Sequence, residues 1–174
     1  MEFPSVFPAS HRDHYVAFAI GGKHATKCLP AEKMTEICKN ISKPVILLGG
    51  KEDFDKGEQI RTRSGGHVYN ACGAFSINQS ADIVRNADVV ITHDTGLMHI
   101  AAAFGKKIIS VWGNTVPAFG MYPYMPGLEE NSKIIEIEGL SCRPCSKLGY
   151  RKCPKGHFDC MQKIDVKSII NNIK

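Results

Sequence analysis

Short apolar segments that alternate with amphipathic ones constrain the fold of this chain more than any other feature of its sequence. Most of them are apolar throughout, and several end at glycine or enter a polar loop. Strands that are apolar on both faces are typical of parallel sheets covered by helices on both sides. The sequence therefore predicts an α/β fold with a doubly wound parallel sheet. Its six strands are expected at residues 15–20, 44–48, 67–70, 88–92, 107–112 and 133–137.

The segments between these strands carry apolar residues at helical spacing. Helices are expected at residues 32–41, 53–63, from 76, at 95–104 and from 165 onwards. Each helix should turn one apolar face towards the sheet. In the helix from Ser76 that face is expected to comprise Ile77, Ala81 and Val84. In the helix at 95–104 it is expected to comprise Leu97, Ile100, Ala101 and Phe104.

Length and composition indicate one globular domain preceded by a tail or linker. The chain has 174 residues, of which 43% are hydrophobic and 22% charged, and this balance excludes disordered and fibrous proteins. We assign residues 1–14 to the tail and 15–174 to the domain. The domain includes a cysteine-rich basic segment at 139–163 and a closing helix at 164–174. No apolar run reaches the roughly 18 residues that span a bilayer, and no signal peptide is visible, so a cytoplasmic location is expected.

The positive charge of the chain is concentrated near its end. The formal net charge is +5, and residues 139–174 hold eight basic residues against two acidic ones. A solvated basic face accounts for this, and so does an anionic partner such as a membrane surface, a phosphorylated glycan or nucleic acid.

Ligands bind such sheets outside the carboxyl ends of the strands, and the loop after residues 88–92 is the richest in polar groups. It places Asp94, Thr95, Gly96 and His99 at the start of a helix. Free N–H groups and the helix dipole favour an anion at that position. An ordinary helix cap is the alternative reading of the same residues.

Two further loops are suited to a nucleotide. Gly22 and Lys23 follow the first strand and Lys27 comes shortly after, so this loop combines close backbone approach with positive charge. Asp53 follows the second strand, where an acid often binds ribose hydroxyls, although it could equally cap a helix. Neither a P-loop nor a G-x-G-x-x-G sequence is present, which argues against a dehydrogenase. The loops together predict a nucleotide or nucleotide-sugar site.

Residues 91–105, ITHDTGLMHIAAAFG, and residues 111–117, VWGNTVP, carry a family resemblance. They resemble the characteristic sequence of family 9 glycosyltransferases, the ADP-heptose:lipopolysaccharide heptosyltransferases and their relatives. Thr26–Pro30 resembles the Thr-Lys-x-x-Pro segment of that family, and residues 47–50 resemble the strand and turn that follow. The stretch from Cys142 to Met161 resembles a cysteine-rich tail seen in part of the family.

The resemblance implies a GT-B architecture of two Rossmann-like halves, of which this chain matches the C-terminal, donor-binding half. It implies that Lys27 pairs with the donor phosphates and Asp94 contacts the sugar. The remaining expected donor contacts are Thr95, Gly96 and Leu97 at the diphosphate, His99 nearby, Asp53 at the ribose and Phe75 at the base. Gly22 and Lys23 complete the expected binding site.

The same resemblance implies an inverting, metal-independent transfer of a sugar, heptose from ADP-heptose, to a lipopolysaccharide-type acceptor. Negative charge grows on the leaving diphosphate, and Lys27 and the helix N-terminus at Thr95 would stabilise it without a cofactor. The base that deprotonates the acceptor lies in the N-terminal half of such enzymes. This chain alone is therefore expected to be inactive and to need that half as a partner. A glycolipid or phosphorylated glycan is the expected acceptor, with peripheral contact at the inner membrane, and nucleic acid is not an expected partner.

Four clustered cysteines leave three interpretations open. Their spacing, Cys142-x2-Cys145-x7-Cys153-x6-Cys160, suits a structural zinc site, reduced packing residues or disulfides. Two alternative functions accompany the transferase: a non-catalytic module that binds nucleotide sugars, and a zinc-dependent protein that binds nucleic acid. The second alternative predicts salt-dependent binding and leaves the loop at 93–99 without a role.

Overall fold

The computed structural model describes residues 7–173 and contains a six-stranded sheet whose strands are all parallel. The strands follow the order β3-β2-β1-β4-β5-β6. They are β1 (Val16–Ala19), β2 (Val45–Leu48), β3 (Val68–Asn70), β4 (Val89–His93), β5 (Lys107–Trp112) and β6 (Ser132–Glu136). The doubly wound fold that the sequence predicts is confirmed.

Helices connect the strands and close the domain. Short amphipathic segments form them where the sequence expects, with one additional short helix in the cysteine-rich segment. They are α1 (Ala31–Lys39), α2 (Phe54–Ser64), α3 (Ile77–Asn86), α4 (Gly96–Ala103), α5 (Asp159–Gln162) and α6 (Val166–Ile170). Within residues 7–173, no helix combines the length and apolar character needed to cross a membrane.

Alternate residues of each strand face two separate cores, one on each side of the sheet. Val16 and Phe18 of β1 lie in the core beneath α1, α2 and α6. Ala17 of the same strand lies in the core beneath α3 and α4. Every residue of β1, β2 and β4 is buried, which explains why these strands are apolar almost throughout.

The chain reverses its direction of travel across the sheet between β1 and β4. From β1 it proceeds outwards to β2 and β3, and it then returns to place β4 on the other side of β1. The loops that leave β1 and β4 therefore diverge to opposite faces of the sheet and open a crevice between them. This crevice is where the sequence places its candidate residues.

In each of two helices one residue of the expected apolar face lies outside the core, while Val84 of α3 and Ala101 of α4 are buried as expected. In α3, Ile77 is 62% exposed, while Ile83 and Val84 are buried. Ile77 is the first residue of α3, so it stands at the end of the sheet rather than over it. In α4, Phe104 is 43% exposed because it follows the last helical turn, and Met98 is buried in its place.

Part of the predicted tail packs against the domain. Residues 1–6 lie outside the described residues, but Phe7 is buried and its ring centroid lies 5.1 Å from that of Tyr69. His11 is also buried, and its Nε2 lies 2.8 Å from the carbonyl oxygen of His67. The segment from residue 7 therefore lies alongside β3.

Candidate functional site

A cavity of about 560 Å³ occupies the crevice at the carboxyl ends of β1, β2 and β4. The loops after β1 and β2, the start of α3 and the start of α4 form its walls. Seven of the ten candidate binding residues line it: Gly22, Lys23, Asp53, Phe75, Thr95, Gly96 and Leu97. The structure thus brings together four segments that are distant in sequence.

Asp53 is a buried carboxylate with two partners of its own. Its Oδ2 accepts a hydrogen bond from the backbone N–H of Gly50 at 3.0 Å. Its Oδ1 forms an ion pair with the Nζ of Lys56 at 2.7 Å, and the Asp53 side chain is 9% exposed. Both oxygens of Asp53 are thus occupied in holding the turn after β2.

The glycines at this edge are required by the same carboxylate. A Cβ atom on Gly21 would overlap with Oδ2 of Asp53, and one on Gly49 would lie 2.8 Å from the Cβ of Asp53. Real Cβ atoms do not approach other heavy atoms so closely. Glycine at both positions therefore lets Asp53 fold down against the ends of β1 and β2.

Glu52, Ile77 and Ser80 also line the cavity, although sequence reasoning did not select them. Glu52 is exposed and immediately precedes Asp53, so the acid expected after β2 has two candidates. Ile77 and Ser80 lie one turn apart on α3, next to Phe75. Helical spacing from the first residue of α3 could have indicated both.

The start of α4 presents backbone groups to the cavity. Thr95 occupies the N-cap position in an extended conformation, and its side chain makes no capping hydrogen bond to α4 within the described part of the chain. Its hydroxyl instead lies 3.3 Å from that of Thr92. The first turn of α4 is thus uncapped by its own cap residue, as an anion-binding helix terminus requires.

Lys27 and Asp94 form an ion pair beside this helix start and do not line the cavity. The Nζ of Lys27 lies 2.6 Å from Oδ2 of Asp94, and the two side chains are 12% and 6% exposed. The hydroxyl of Thr115, which follows β5, donates to the same oxygen at 3.0 Å. Two residues expected to contact a donor separately are thus joined to each other.

His93 and His99 differ in their surroundings. His99 is exposed on α4 and does not line the cavity. His93 is completely buried, and its Nε2 accepts a hydrogen bond from the backbone N–H of Leu29 at 3.0 Å. Burial, together with the positive charge of Lys56, lowers the pKa of His93 to about 3. His93 is therefore a neutral structural residue at the end of β4.

The cysteine-rich segment anchors the loop that carries Lys27. The backbone N–H of Tyr150 donates to the hydroxyl of Thr26 at 2.8 Å, and that of Thr26 donates to the carbonyl of Tyr150 at 3.2 Å. Arg143, whose side chain is 6% exposed, donates to the carbonyl of Thr115 at 3.0 Å and pairs with Glu136 at 2.7 Å. The segment therefore supports both partners of the Lys27–Asp94 pair: it holds Thr26, next to Lys27, and Thr115, which donates to Asp94.

The seven cysteines are free thiols. Burial raises the pKa of Cys28 to about 11 and those of Cys38 and Cys72 to about 12, so these three are unreactive core residues.

In the cysteine-rich segment, burial and the neighbouring thiols Cys142 and Cys153 raise the pKa of Cys145. Among residues 7–173, no three histidine, cysteine or acidic side chains are arranged to hold a metal ion. Cys160 of the same segment is buried against the core. Structural zinc at the four clustered thiols stays a prediction from their spacing, and the thiols lie near enough to one another to interact electrostatically.

Curated proteins and several solved structures that are similar to this chain are heptosyltransferases. Lipooligosaccharide heptosyltransferase 2 of Haemophilus influenzae is 34% identical over 112 residues, which are 62% of this chain and 31% of that protein. The structure of ADP-heptose lps heptosyltransferase II from E. coli superposes with a TM-score of 0.73 at 19% identity over 97% of this chain and 47% of the other. E. coli heptosyltransferase WaaC with ADP gives 0.68 at 20% identity over 99% and 48%.

The chain spans less than half of each of these proteins: 31% of the curated relative and 47% and 48% of the two solved structures. The two structures match the six-stranded parallel sheet and its helices. The sequence profile of glycosyltransferase family 9 (heptosyltransferase) matches residues 4–154, which is most of the chain. The chain therefore belongs to glycosyltransferase family 9, the family of the heptosyltransferases.

Proposed function

We propose that this chain is the donor-binding part of a heptosyltransferase that transfers a sugar from an ADP-sugar to a lipopolysaccharide-type acceptor. The observation that carries the proposal is the cavity at the carboxyl edge of the sheet, where the start of α4 faces the loops after β1 and β2. A volume of about 560 Å³ lies within the usual range for sites that bind small molecules. The E. coli relative whose structure contains ADP supports the choice of nucleotide.

The cavity has two chemically different ends, which orient the nucleotide. Phe75 and Ile77 supply apolar surface for a base. Thr95 and Gly96 supply the start of α4, and Lys23 supplies a positive charge. Because the helix terminus favours anions, we place the diphosphate at that end and the nucleoside at the other.

We assign the ribose to Glu52 as well as to the neighbouring Asp53. Both oxygens of Asp53 are already engaged, one by the N–H of Gly50 and one by Lys56. Glu52 is exposed and lines the same cavity. A free carboxylate can accept hydrogen bonds from both hydroxyls of a ribose, whereas an occupied one must first release a partner.

Transfer moves the glycosyl group from the diphosphate to the acceptor hydroxyl. The hydroxyl oxygen bonds to the anomeric carbon, the bond from that carbon to the diphosphate oxygen breaks, and the acceptor proton passes to a base. The leaving diphosphate gains negative charge, which Lys23 and the N–H groups of α4 would stabilise. Lys27 lies beside the same helix start, and its charge would reach the diphosphate once its ion pair with Asp94 opens.

We propose that the base belongs to the other half of the full enzyme, since the relatives are about twice as long as this chain. The chain alone should then bind ADP-sugars and release no ADP when an acceptor is supplied. Rapid acceptor-dependent release of ADP by the chain alone would contradict this division of labour.

Calorimetric titration with ADP, UDP and GDP tests the nucleotide assignment. ADP should bind and raise the melting temperature by mass action, and UDP and GDP should bind more weakly. Glu52→Gln should weaken ADP binding about tenfold, as the loss of a hydrogen bond to a charged acceptor implies. Glu130→Gln, which removes an exposed acid outside the cavity, serves as the control. Equal binding of all three nucleotides, or of ADP to both variants, would contradict the assignment.

A further inference from the structure

A second cavity of about 530 Å³ adjoins the first at the loop after β1. Gly22, Lys23 and Asp53 line both cavities. The walls unique to the second cavity come from the start of α1, from Lys56 of α2, and from the cysteine-rich segment with α5: Arg151, Phe158 and Gln162. The nucleotide is proposed above for the first cavity, and the second has no assigned occupant.

The second cavity is positively charged. Its charged lining residues are three cations, Lys23, Lys56 and Arg151, and one carboxylate, Asp53. Asp53 neutralises Lys56 at 2.7 Å. Lys23 and Arg151 are exposed and have no ion pair or side-chain hydrogen bond with any residue in the range 7–173. Arg151 is thus a positive charge that the donor site does not use, and Lys23 lies where it can contact an anion in either cavity, so a phosphate group matches this lining.

The same cavity offers an aromatic ring and an amide. Phe158 is half-buried at its wall, and its backbone adopts a left-handed conformation with φ 54. A bulky residue rarely adopts this conformation, and such positions concentrate at binding sites. Gln162 follows one helical turn later and also lines the cavity. A ring that packs against C–H groups and an amide that pairs with hydroxyls are suited to a sugar.

We propose that the second cavity binds a phosphorylated sugar of the acceptor, with its phosphate at Lys23 and Arg151 and its ring at Phe158 and Gln162. Lys23 and Gly22 belong to both cavities, so this acceptor sugar lies beside the diphosphate end of the donor site. The assignment rests on the proposed transferase function, because only a transferase needs an acceptor beside the donor. It also gives the basic, cysteine-rich segment a specific anionic ligand.

Amide NMR spectra of the full chain, titrated with glucose 6-phosphate, glucose and inorganic phosphate, test the proposal. Glucose 6-phosphate should shift the signals of Arg151, Phe158 and Gln162, and ADP should shift those of Phe75 and Gly96. Arg151→Gln should weaken glucose 6-phosphate binding at least fivefold and leave ADP binding unchanged. Lys155→Gln removes the same charge from an exposed position in the same segment, outside the lining of the second cavity, and should have no effect.

Phe158→Leu separates a sugar-phosphate site from a general anion site. It should weaken binding of glucose 6-phosphate and leave that of inorganic phosphate unchanged. If wild type and Phe158→Leu each bind glucose 6-phosphate and inorganic phosphate with equal affinity, the proposal is overturned. It is also overturned if Arg151→Gln and Lys155→Gln weaken glucose 6-phosphate binding equally. If glucose 6-phosphate binds as expected while ADP shifts the signals of neither Phe75 nor Gly96, the nucleotide assignment is wrong. The assignment of the second cavity to a sugar phosphate is then still supported.

Discussion

Two lysine–aspartate pairs flank the crevice of this domain, and their surroundings differ. Lys27 and Asp94 are 2.6 Å apart with side chains 12% and 6% exposed, and Thr115 also donates to Asp94. Lys56 and Asp53 are 2.7 Å apart, but the Lys56 side chain is 29% exposed. The first pair lies outside the lining of the main cavity and is supported by the cysteine-rich segment. The second lies at the junction of the two cavities.

The difference shows that a lysine–aspartate ion pair can have two different roles in one domain. The enclosed pair fixes the loop before α4 relative to the loop after β1, so it sets the geometry at the start of α4. The more open pair folds Asp53 over Gly21 and Gly49 and leaves its lysine within reach of solvent. A change to the first pair should therefore affect stability most, and a change near the second should affect binding as well.

Asp94→Ala should have the largest effect. It leaves the Lys27 ammonium buried without its partner, and breaking such a pair costs about 3 kcal/mol or more of unfolding free energy. Urea denaturation measures the loss. Lys27→Met combined with Asp94→Ala should recover part of it, because the double variant buries no uncompensated charge. A loss below about 1 kcal/mol for Asp94→Ala would show that solvent reaches this pair.

Gly21→Ala should lower unfolding free energy by about 2 kcal/mol, because the new methyl group overlaps with the Asp53 carboxylate and forces it to move. ADP binding should weaken in the same variant. Gly66→Ala is the matched control, since a Cβ there meets no atom within 4 Å and Gly66 lies outside the lining of the cavity. If both variants behave alike in denaturation and ADP titration, the contact with Asp53 is not what requires glycine.

His93 lies between the two pairs and makes stability depend on pH. Its pKa is about 3 in the folded chain, against 6.5 for an ordinary histidine, so between these values the unfolded chain binds a proton that the folded chain does not. Stability should therefore fall as the pH falls below about 6.5, by up to about 1.4 kcal/mol per pH unit from this residue. Denaturation at pH 7.0, 6.0 and 5.0 measures the slope.

His93→Gln should reduce that slope, and His99→Gln, at an exposed position, should leave it unchanged. The carboxylates contribute their own pH dependence at lower values, so the comparison between the two variants is the informative quantity. Identical slopes for wild type and His93→Gln would contradict the assignment of His93 as a buried neutral residue.

The smallest effect should come from an ion pair on the surface. Arg85 pairs with Asp82 at 2.6 Å on α3, but the Arg85 side chain is 59% exposed. Exposed pairs contribute between zero and about 1 kcal/mol, so Arg85→Gln should change unfolding free energy by less than about 0.5 kcal/mol. A change as large as that of Asp94→Ala would mean that enclosure does not decide the strength of these pairs.

The sheet could be predicted from sequence because an unbroken apolar segment indicates a strand that is buried on both faces. Residues 44–48 and 88–92 are apolar enough to locate β2 and β4 without any knowledge of their neighbours. The ends of the helices were harder to predict. Ile77 and Phe104 stand at helix ends, where periodicity does not indicate whether another element packs against the side chain. Their exposure depends on where the sheet stops.

The candidate site could be predicted in part for a related reason. The loops were identifiable because the carboxyl edge of a parallel sheet collects them, and seven of the ten candidates line one cavity. The pairing of Lys27 with Asp94 could not be predicted, because it joins side chains from two loops 67 positions apart. The contribution of Arg151 and Phe158 was hidden for the same reason, since their segment has no periodic pattern that would place it.

The hydrogen bonds between Thr26 and Tyr150 have a consequence for the order of folding. These residues are 124 positions apart in sequence, and contacts of such long range form late because closing large loops is entropically unfavourable. A ribosome must therefore add 124 residues after Thr26 before the loop of Lys27 gains its support. Until then the nascent sheet can assemble with its crevice unfinished, and the ability to hold a ligand should emerge only after the cysteine-rich segment has been synthesised.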